Sequence, residues 1–171
     1  MNACVTKLAP GLLLLAGLAH SQPAAPEDRR NWFEDPFFQV SAGVPACPVP
    51  LGPLLTAEEQ RREAHYRIER GTSCWLAGKC RDSNAYRYDK GLAPQVEAAL
   101  RTVPGIERSS VWVTIQRRWV FLEGCVAAPE LISRLERAAR QVPEVESVVP
   151  ALSAEGQAPR YLLRDGPAAA R

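Results

Sequence analysis

The stretch from Gly91 to Leu152 combines strong hydrophobic periodicity with the length of a small domain. A helical pattern of apolar residues is followed by two runs in which β-branched residues alternate with other types, and then by a second helical pattern and a last apolar run. This order of helix, strand, strand, helix and strand predicts an α+β fold. In such an αββαβ module, a small mixed sheet carries both helices on one face.

Prolines mark the ends of both predicted helices. Pro104 and Pro143 each follow a helical pattern, and proline ends a helix because it lacks the backbone donor that the interior needs. Arg117-Arg118 separates the two strands of a predicted hairpin. We predict helices over 92–103 and 129–142, and strands over 111–116, 119–126 and 145–152.

The small and apolar residues of this module follow a distinctive order. They are Val111, Val113 and Ile115, then Val120, Leu122, Gly124 and Val126, then Val142-Pro143, Val145, Val148 and Leu152. In this order the stretch resembles the BON domain, a small αββαβ module of bacterial envelope proteins. The resemblance covers roughly a third of the chain. It implies interaction with phospholipid and a role in envelope maintenance or stress.

Two positions depart from the family pattern. Glycine usually stands at the hairpin turn and before the valine that follows the second helix, whereas this chain has Arg118 and Glu144 there. We therefore expect a hairpin turn of another type, or one that is one residue longer. Gly124 agrees with the pattern, and Gly124→Val is expected to damage folding if this glycine lets the helices approach the sheet closely.

Residues 1–21 have the features of a secretory signal peptide. Lys7 provides a positive start, Leu12 to Leu18 form a short apolar core, and Ala19-His20-Ser21 places small residues where a signal peptidase cleaves. A membrane anchor would need about 20 apolar residues, and this run is much shorter. We therefore predict export to the periplasm, with no transmembrane segment in the mature chain.

The remaining chain is expected to have three parts. The BON-like module spans 89–152, an N-terminal extension precedes it over 22–88, and a flexible tail follows over 153–171. The extension contains an aromatic segment, one helix and a cysteine loop. Thr56 and Glu59 form a capping-box signature, and the helix is expected to run to about Arg70, where Gly71 stops it.

Four aromatic residues are concentrated near the start of the extension. They are Trp32, Phe33, Phe37 and Phe38. One interpretation is a docking peptide or a membrane-interface anchor. The other is that the rings pack on the sheet face that the helices leave open. We favour packing, because a bare sheet face with aromatic residues would be a large exposed apolar patch.

Four cysteines follow the predicted signal peptide: Cys47, Cys74, Cys80 and Cys125. An even number in an exported chain favours two disulfides, with three possible pairings. Zinc is the alternative, but five residues separate Cys74 from Cys80, more than zinc sites usually have between ligands. We favour a local Cys74–Cys80 bridge together with Cys47–Cys125, which would tie the extension across the open sheet face.

Catalysis and nucleic-acid binding find little support in the sequence. The chain has 21 basic and 19 acidic residues, whereas nucleic-acid-binding proteins usually carry a strongly basic face. His65 lies among arginines on a charged helix, and neither a nucleophile elbow nor a phosphate-binding loop occurs. We predict a non-catalytic binding protein without cofactor or metal.

Two kinds of partner remain. Arg117, Arg118 and Trp119 place two cations and an interfacial aromatic at the hairpin tip, an arrangement suited to an anionic phospholipid surface. Alternatively, the protein is an adaptor in an envelope assembly that takes a protein partner through the Trp32–Phe38 segment or a free sheet edge. Lipid binding through the arginines would weaken with salt, whereas binding through aromatic side chains would not.

Overall fold

A computed structural model describes residues 28–154 and 156–165 of the chain. The predicted signal peptide, residues 1–21, lies outside the described residues. The described residues form a mixed α+β structure built around a four-stranded sheet. Its strands and helices, in chain order, are β1 (Phe37–Ala42), α1 (Ala57–Leu76), α2 (Asp89–Arg101), β2 (Ser109–Gln116), β3 (Trp119–Val126), α3 (Glu130–Arg140) and β4 (Ser147–Ala154).

The sheet has the strand order β1-β2-β3-β4. The β2–β3 hairpin is antiparallel, and β3 pairs in parallel with β4, so that α3 forms the crossover between two parallel strands. The predicted αββαβ order is therefore confirmed for α2, β2, β3, α3 and β4.

The core lies between the sheet and the two helices α2 and α3. Every second residue of β2 and β3 points to this face, as the period of a strand requires. Val113 lies opposite Leu122 and both are fully buried, as are Val96 and Leu100 of α2 and Leu135 of α3. Burial of such side chains contributes about 1.5–3 kcal/mol each. Both helices therefore lie on one face, as predicted.

The extension supplies the strand β1, which the sequence did not predict. Phe37–Ala42 adds to the sheet as an edge strand, antiparallel to β2 and with a register shift between Gln39 and Ser41. Phe38 packs against the helix-side core, whereas Phe37 lies opposite Thr114 on the other face. The aromatic segment therefore forms the sheet edge, and the prediction that its rings pack on the open sheet face is wrong for Phe38.

The helix α1 begins where the sequence predicts and ends later. The Thr56 side chain accepts from the Glu59 N–H, and the Glu59 carboxylate accepts from the Thr56 N–H, which is a complete capping box. The helix then continues to Leu76, so the prediction that Gly71 stops it is wrong. A Cβ atom at Gly71 would lie 2.7 Å from Asn84 Oδ1, and the glycine therefore permits close approach of the next segment.

Two disulfides brace the extension. Cys47–Cys125 joins it to β3, and Cys74–Cys80 closes a short loop at the end of α1. This is the pairing favoured from the sequence, and a disulfide-braced extension is confirmed.

The chain after β4 returns to the extension. Leu163 forms a β-bridge with Pro50, and the Tyr161 hydroxyl donates to the Pro48 carbonyl at 2.7 Å. Ser153, placed in the tail by the sequence prediction, belongs to β4. These backbone and side-chain contacts hold residues 156–165 against the extension.

Candidate functional site

The hairpin tip that joins β2 to β3 is a two-residue turn. Gln116 lies opposite Trp119, so only Arg117 and Arg118 connect the strands. Both have positive φ, 48° and 69°, which is the backbone of a type I′ turn. The turn therefore has two residues and does not contain the extra residue considered from the sequence. Two arginines instead adopt a left-handed conformation that glycine adopts without strain.

Asp89 stabilises this turn. Its carboxylate oxygens accept the backbone N–H groups of Arg117 and Arg118, each at 2.7 Å. Asp89 is the first residue of α2, and its side chain is directed to the hairpin. Burial raises the pKa of the Asp89 carboxyl to about 6, although the two N–H donors oppose this rise. The tip is therefore held by a buried acid.

Arg118 contributes little free charge to the surface. The side chain is buried, with Nε donating to the Glu144 carbonyl at 2.7 Å and a guanidinium nitrogen 3.3 Å from the Glu144 carboxylate. Glu144 itself has a positive φ of 67°. The two residues that replace family glycines therefore contact each other. Their charges are balanced within the fold, which the sequence pattern did not indicate.

Arg117 and Trp119 form the half-buried part of the tip. The Arg117 guanidinium lies over the Trp119 ring, 4.3 Å from its centroid. This is within the range of a cation–π contact. Of the three residues predicted to contact lipid, the structure therefore leaves one partly accessible cation beside one partly accessible aromatic ring, because the third is paired internally.

The aromatic segment of the extension is largely used within the protein. Arg67 of α1 lies between the rings of Phe33 and Tyr86, 4.2 and 3.6 Å from their centroids, and forms a bidentate ion pair with buried Asp35. Trp32 is 41% exposed and donates to the Leu55 carbonyl. The segment therefore holds α1 against the module, and Trp32 is its most exposed ring.

A carboxylate lies on the sheet face opposite the helices. Glu123 of β3 is registered between Trp112 of β2 and Ala151 of β4. Its Oε2 atom is buried and has no hydrogen-bond partner among the residues that the structure describes. Burial raises the pKa of Glu123 to about 7. Burial of the Tyr161 side chain, together with the nearby Glu123 charge, raises the pKa of the Tyr161 hydroxyl.

The end of α1 exposes apolar residues that the sequence analysis did not single out as a surface. Ile68 is 71% exposed. Trp75 and Leu76 form the last turn of the helix and are also exposed. The buried positions of this helix are Gly71 and Cys74. A spacing of seven and eight residues from Ile68 places Trp75 and Leu76 on its face, a signal that the sequence contained.

Two further features concern residues 28–154 and 156–165. No three His, Cys, Asp or Glu side chains in these ranges are grouped as a metal site would require. None of the helices in the same part of the chain has the length and apolar character to cross a bilayer.

Comparison with known families gave one match. Residues 88–156 match the family model of the BON domain, and this range begins just before α2 and ends just after β4. Neither the curated proteins nor the solved structures gave a match. The match covers the five elements that were predicted from their periodicity. The comparison therefore identifies a BON domain over residues 88–156 of this chain.

Proposed function

We propose that this protein is a non-catalytic periplasmic binding protein that associates with anionic phospholipid at a membrane surface, in envelope maintenance or stress. The observation that carries the proposal is the BON domain over 88–156, because this family is known for phospholipid and envelope-associated binding and is generally non-catalytic. The two disulfides support export, since disulfides persist in oxidising compartments such as the periplasm.

The hairpin tip supports a part of this proposal. Arg117 and Trp119 lie together, and a cation beside an interfacial aromatic suits the headgroup region of a bilayer. One basic residue near an anionic surface contributes about 1 kcal/mol, so the tip alone would bind weakly. Arg118 adds little, because Glu144 compensates its charge. Stable association therefore needs contacts elsewhere on the protein.

Flotation with liposomes tests the proposal. The protein, purified after export by an expression host, would be mixed with vesicles of phosphatidylcholine alone or with added phosphatidylglycerol. We expect flotation only with the anionic vesicles. Arg117→Gln should weaken binding several-fold, and Arg118→Gln combined with Glu144→Gln serves as the comparison, because it removes two charges that balance each other. Absence of flotation with both vesicle types would contradict the proposal.

A protein–protein adaptor in an envelope assembly is the second candidate. The observation that favours it is the position of β1 at the edge of the sheet, because an edge strand can pair with a strand of another chain. Trp32, the most exposed ring of the Trp32–Phe38 segment, lies just before this strand. Crosslinking in the envelope from a photoreactive group placed at Gln39 would test this candidate, and a specific protein adduct without liposome binding would favour the adaptor.

A further inference from the structure

Three large apolar side chains near the end of α1 point away from the rest of the protein. Ile68 is 71% exposed, Trp75 49% and Leu76 73%. Because residues seven and eight positions apart share a helix face, the three form one patch. Cys74, one residue before Trp75, is buried and bonded to Cys80. The disulfide therefore fixes the rotation of the last helical turn, with Trp75 and Leu76 directed outward.

Two cations follow this patch along the chain. Lys79 and Arg81 are exposed, and neither forms an ion pair within the described residues. Of the nearby acids, Asp82 lies 3.4 Å from Arg87, whereas Glu69, on the flank of the patch, lies 3.7 Å from His65, which is charged only when protonated. At the end of the helix, the apolar patch is therefore followed by two cations without an ion-pair partner among the described residues.

We propose that this surface, the α1 tip, is where the protein contacts an anionic lipid bilayer. The α1 tip consists of Ile68, Trp75, Leu76, Lys79 and Arg81. An apolar helix face bordered by cations enters the boundary between headgroups and acyl chains, where tryptophan is favoured. Lys79 and Arg81 then face lipid phosphates. The inference rests on the proposed function and assigns its main contact to the extension rather than to the BON domain.

Charge favours a lipid surface over a second copy of the chain as the occupant. A twofold interface through the α1 tip would place the same patch on both protomers, so Lys79 and Arg81 of each would approach those of the other. Like charges brought together in this way oppose association. Three exposed side chains also form a small contact compared with the roughly 800 Å² per partner of a stable interface.

The α1 tip also supplies lipid-binding affinity that the hairpin tip lacks. Two unpaired cations at an anionic surface strengthen binding by a factor of roughly thirty, from the usual contribution of one basic residue. The apolar side chains add to this through burial. Variants of the α1 tip should therefore reduce binding more than Arg117→Gln does.

Two double variants test this surface: Ile68→Gln with Leu76→Gln, and Lys79→Gln with Arg81→Gln. Glutamine keeps helix propensity, and all four side chains are exposed, so folding should be unaffected. Tyr66→Gln is the matched control, because Tyr66 is 47% exposed on the same helix but on its other side. With phosphatidylglycerol vesicles, we expect at least tenfold weaker binding for each double variant and no more than a twofold change for the control.

Quenching by brominated lipid gives an independent readout. Wild-type fluorescence should be quenched on binding, and Trp75→Leu should bind but lose most of this quenching, because an apolar side chain remains while the inserted indole is gone. Quenching that persists in Trp75→Leu and disappears in Trp119→Leu would place insertion at the hairpin tip and overturn the inference.

Other outcomes separate this inference from the proposed function. Wild-type binding that the α1-tip variants leave unchanged would overturn the inference while the lipid function stands. Absence of wild-type binding to anionic vesicles would overturn both. Self-association of the wild type that Ile68→Gln with Leu76→Gln abolishes, without lipid binding, would show that a second copy occupies the surface and would also overturn the inference.

Discussion

Replacing Glu123 by glutamine should stabilise the protein at alkaline pH. The Glu123 carboxylate lies on the sheet face with a buried Oε2 that has no hydrogen-bond partner in the described part of the chain, and burial raises its pKa from 4.5 to about 7. A raised carboxyl pKa means that the folded state holds a proton which the unfolded state has released. Stability is therefore fully present below pH 4.5 and falls as the pH rises through about 7.

The pKa change sets the size of this effect. A rise from 4.5 to about 7 corresponds to roughly 3 kcal/mol of unfolding free energy. Solvent reaches part of the side chain, which reduces the expected effect to about 2 kcal/mol. Glu123→Gln removes the buried charge at similar volume, so the variant should be more stable than wild type by about 2 kcal/mol at about pH 8. The difference should disappear near pH 4.5.

Urea unfolding at several pH values, with disulfides intact, measures this difference. Glu146→Gln is the matched control, because Glu146 is exposed and its variant should differ from wild type by less than about 0.5 kcal/mol throughout. Comparing variant with wild type at each pH cancels the contribution of Asp89, whose pKa is also raised. Equal stability of Glu123→Gln and wild type at about pH 8 would refute the reasoning.

Four further predictions concern the fold. Gly124→Ala should destabilise by at least about 3 kcal/mol in urea unfolding, because the new Cβ would lie 2.0 Å from the Ser110 carbonyl oxygen at a φ of 129°; a change below about 1 kcal/mol would contradict this. Removing Cys47–Cys125 by paired alanine substitution should cost about 4 kcal/mol, and removing Cys74–Cys80 about 2 kcal/mol, since their sequence separations are 78 and 6; the reverse order in calorimetry would refute the loop argument. Asp89→Ala should cost about 2–3 kcal/mol in chemical unfolding by leaving two N–H groups without acceptors, and an unchanged midpoint would show that water replaces them. Glu144→Gly should change the free energy of unfolding by less than about 1 kcal/mol, because glycine adopts the positive φ without strain and this offsets the lost contact with Arg118. A loss of stability above about 2 kcal/mol in thermal unfolding would mean that the ion pair dominates.

The Gly124 prediction rests on a different contact from the one expected. The sequence pattern indicated that this glycine lets the helices approach the sheet. In the structure the nearest atoms to an added Cβ belong to Ser110 and Trp112 of the neighbouring strand. Glycine is needed here because the strand backbone itself has a positive φ. The position was recognisable from the pattern, whereas its cause depended on the pairing of β2 with β3.

The module was predictable because its signals are local. Periodicity in α2, β2, β3, α3 and β4 reports which face of each element is buried, and prolines mark the helix ends. By contrast, β1 is a strand through its pairing with β2, about 70 residues away. Its sequence, FFQVSA, has no regular alternation, and a register shift places Val40 in the core. Such pairing is a tertiary effect that local propensity does not report.

For the site residues, too, local position was predictable and tertiary contacts were not. Arg117, Arg118 and Trp119 were correctly located at the hairpin tip. The ion pair between Arg118 and Glu144 joins two segments that meet only in the folded protein. In α1, Arg67 and Cys74 point inward to Asp35 and Cys80. Because the inner face of α1 is polar, Ile68 lies on the exposed face, which hydrophobic periodicity alone would not predict.

The most direct test of the central claim is the salt dependence of liposome binding by the wild-type protein. Binding to phosphatidylglycerol vesicles would be measured from low to high ionic strength, beside phosphatidylcholine vesicles as the neutral reference. We expect binding that needs anionic lipid and weakens progressively with salt, because exposed cations supply part of the attraction. Equal binding to both vesicle types, or no binding to either, would contradict it.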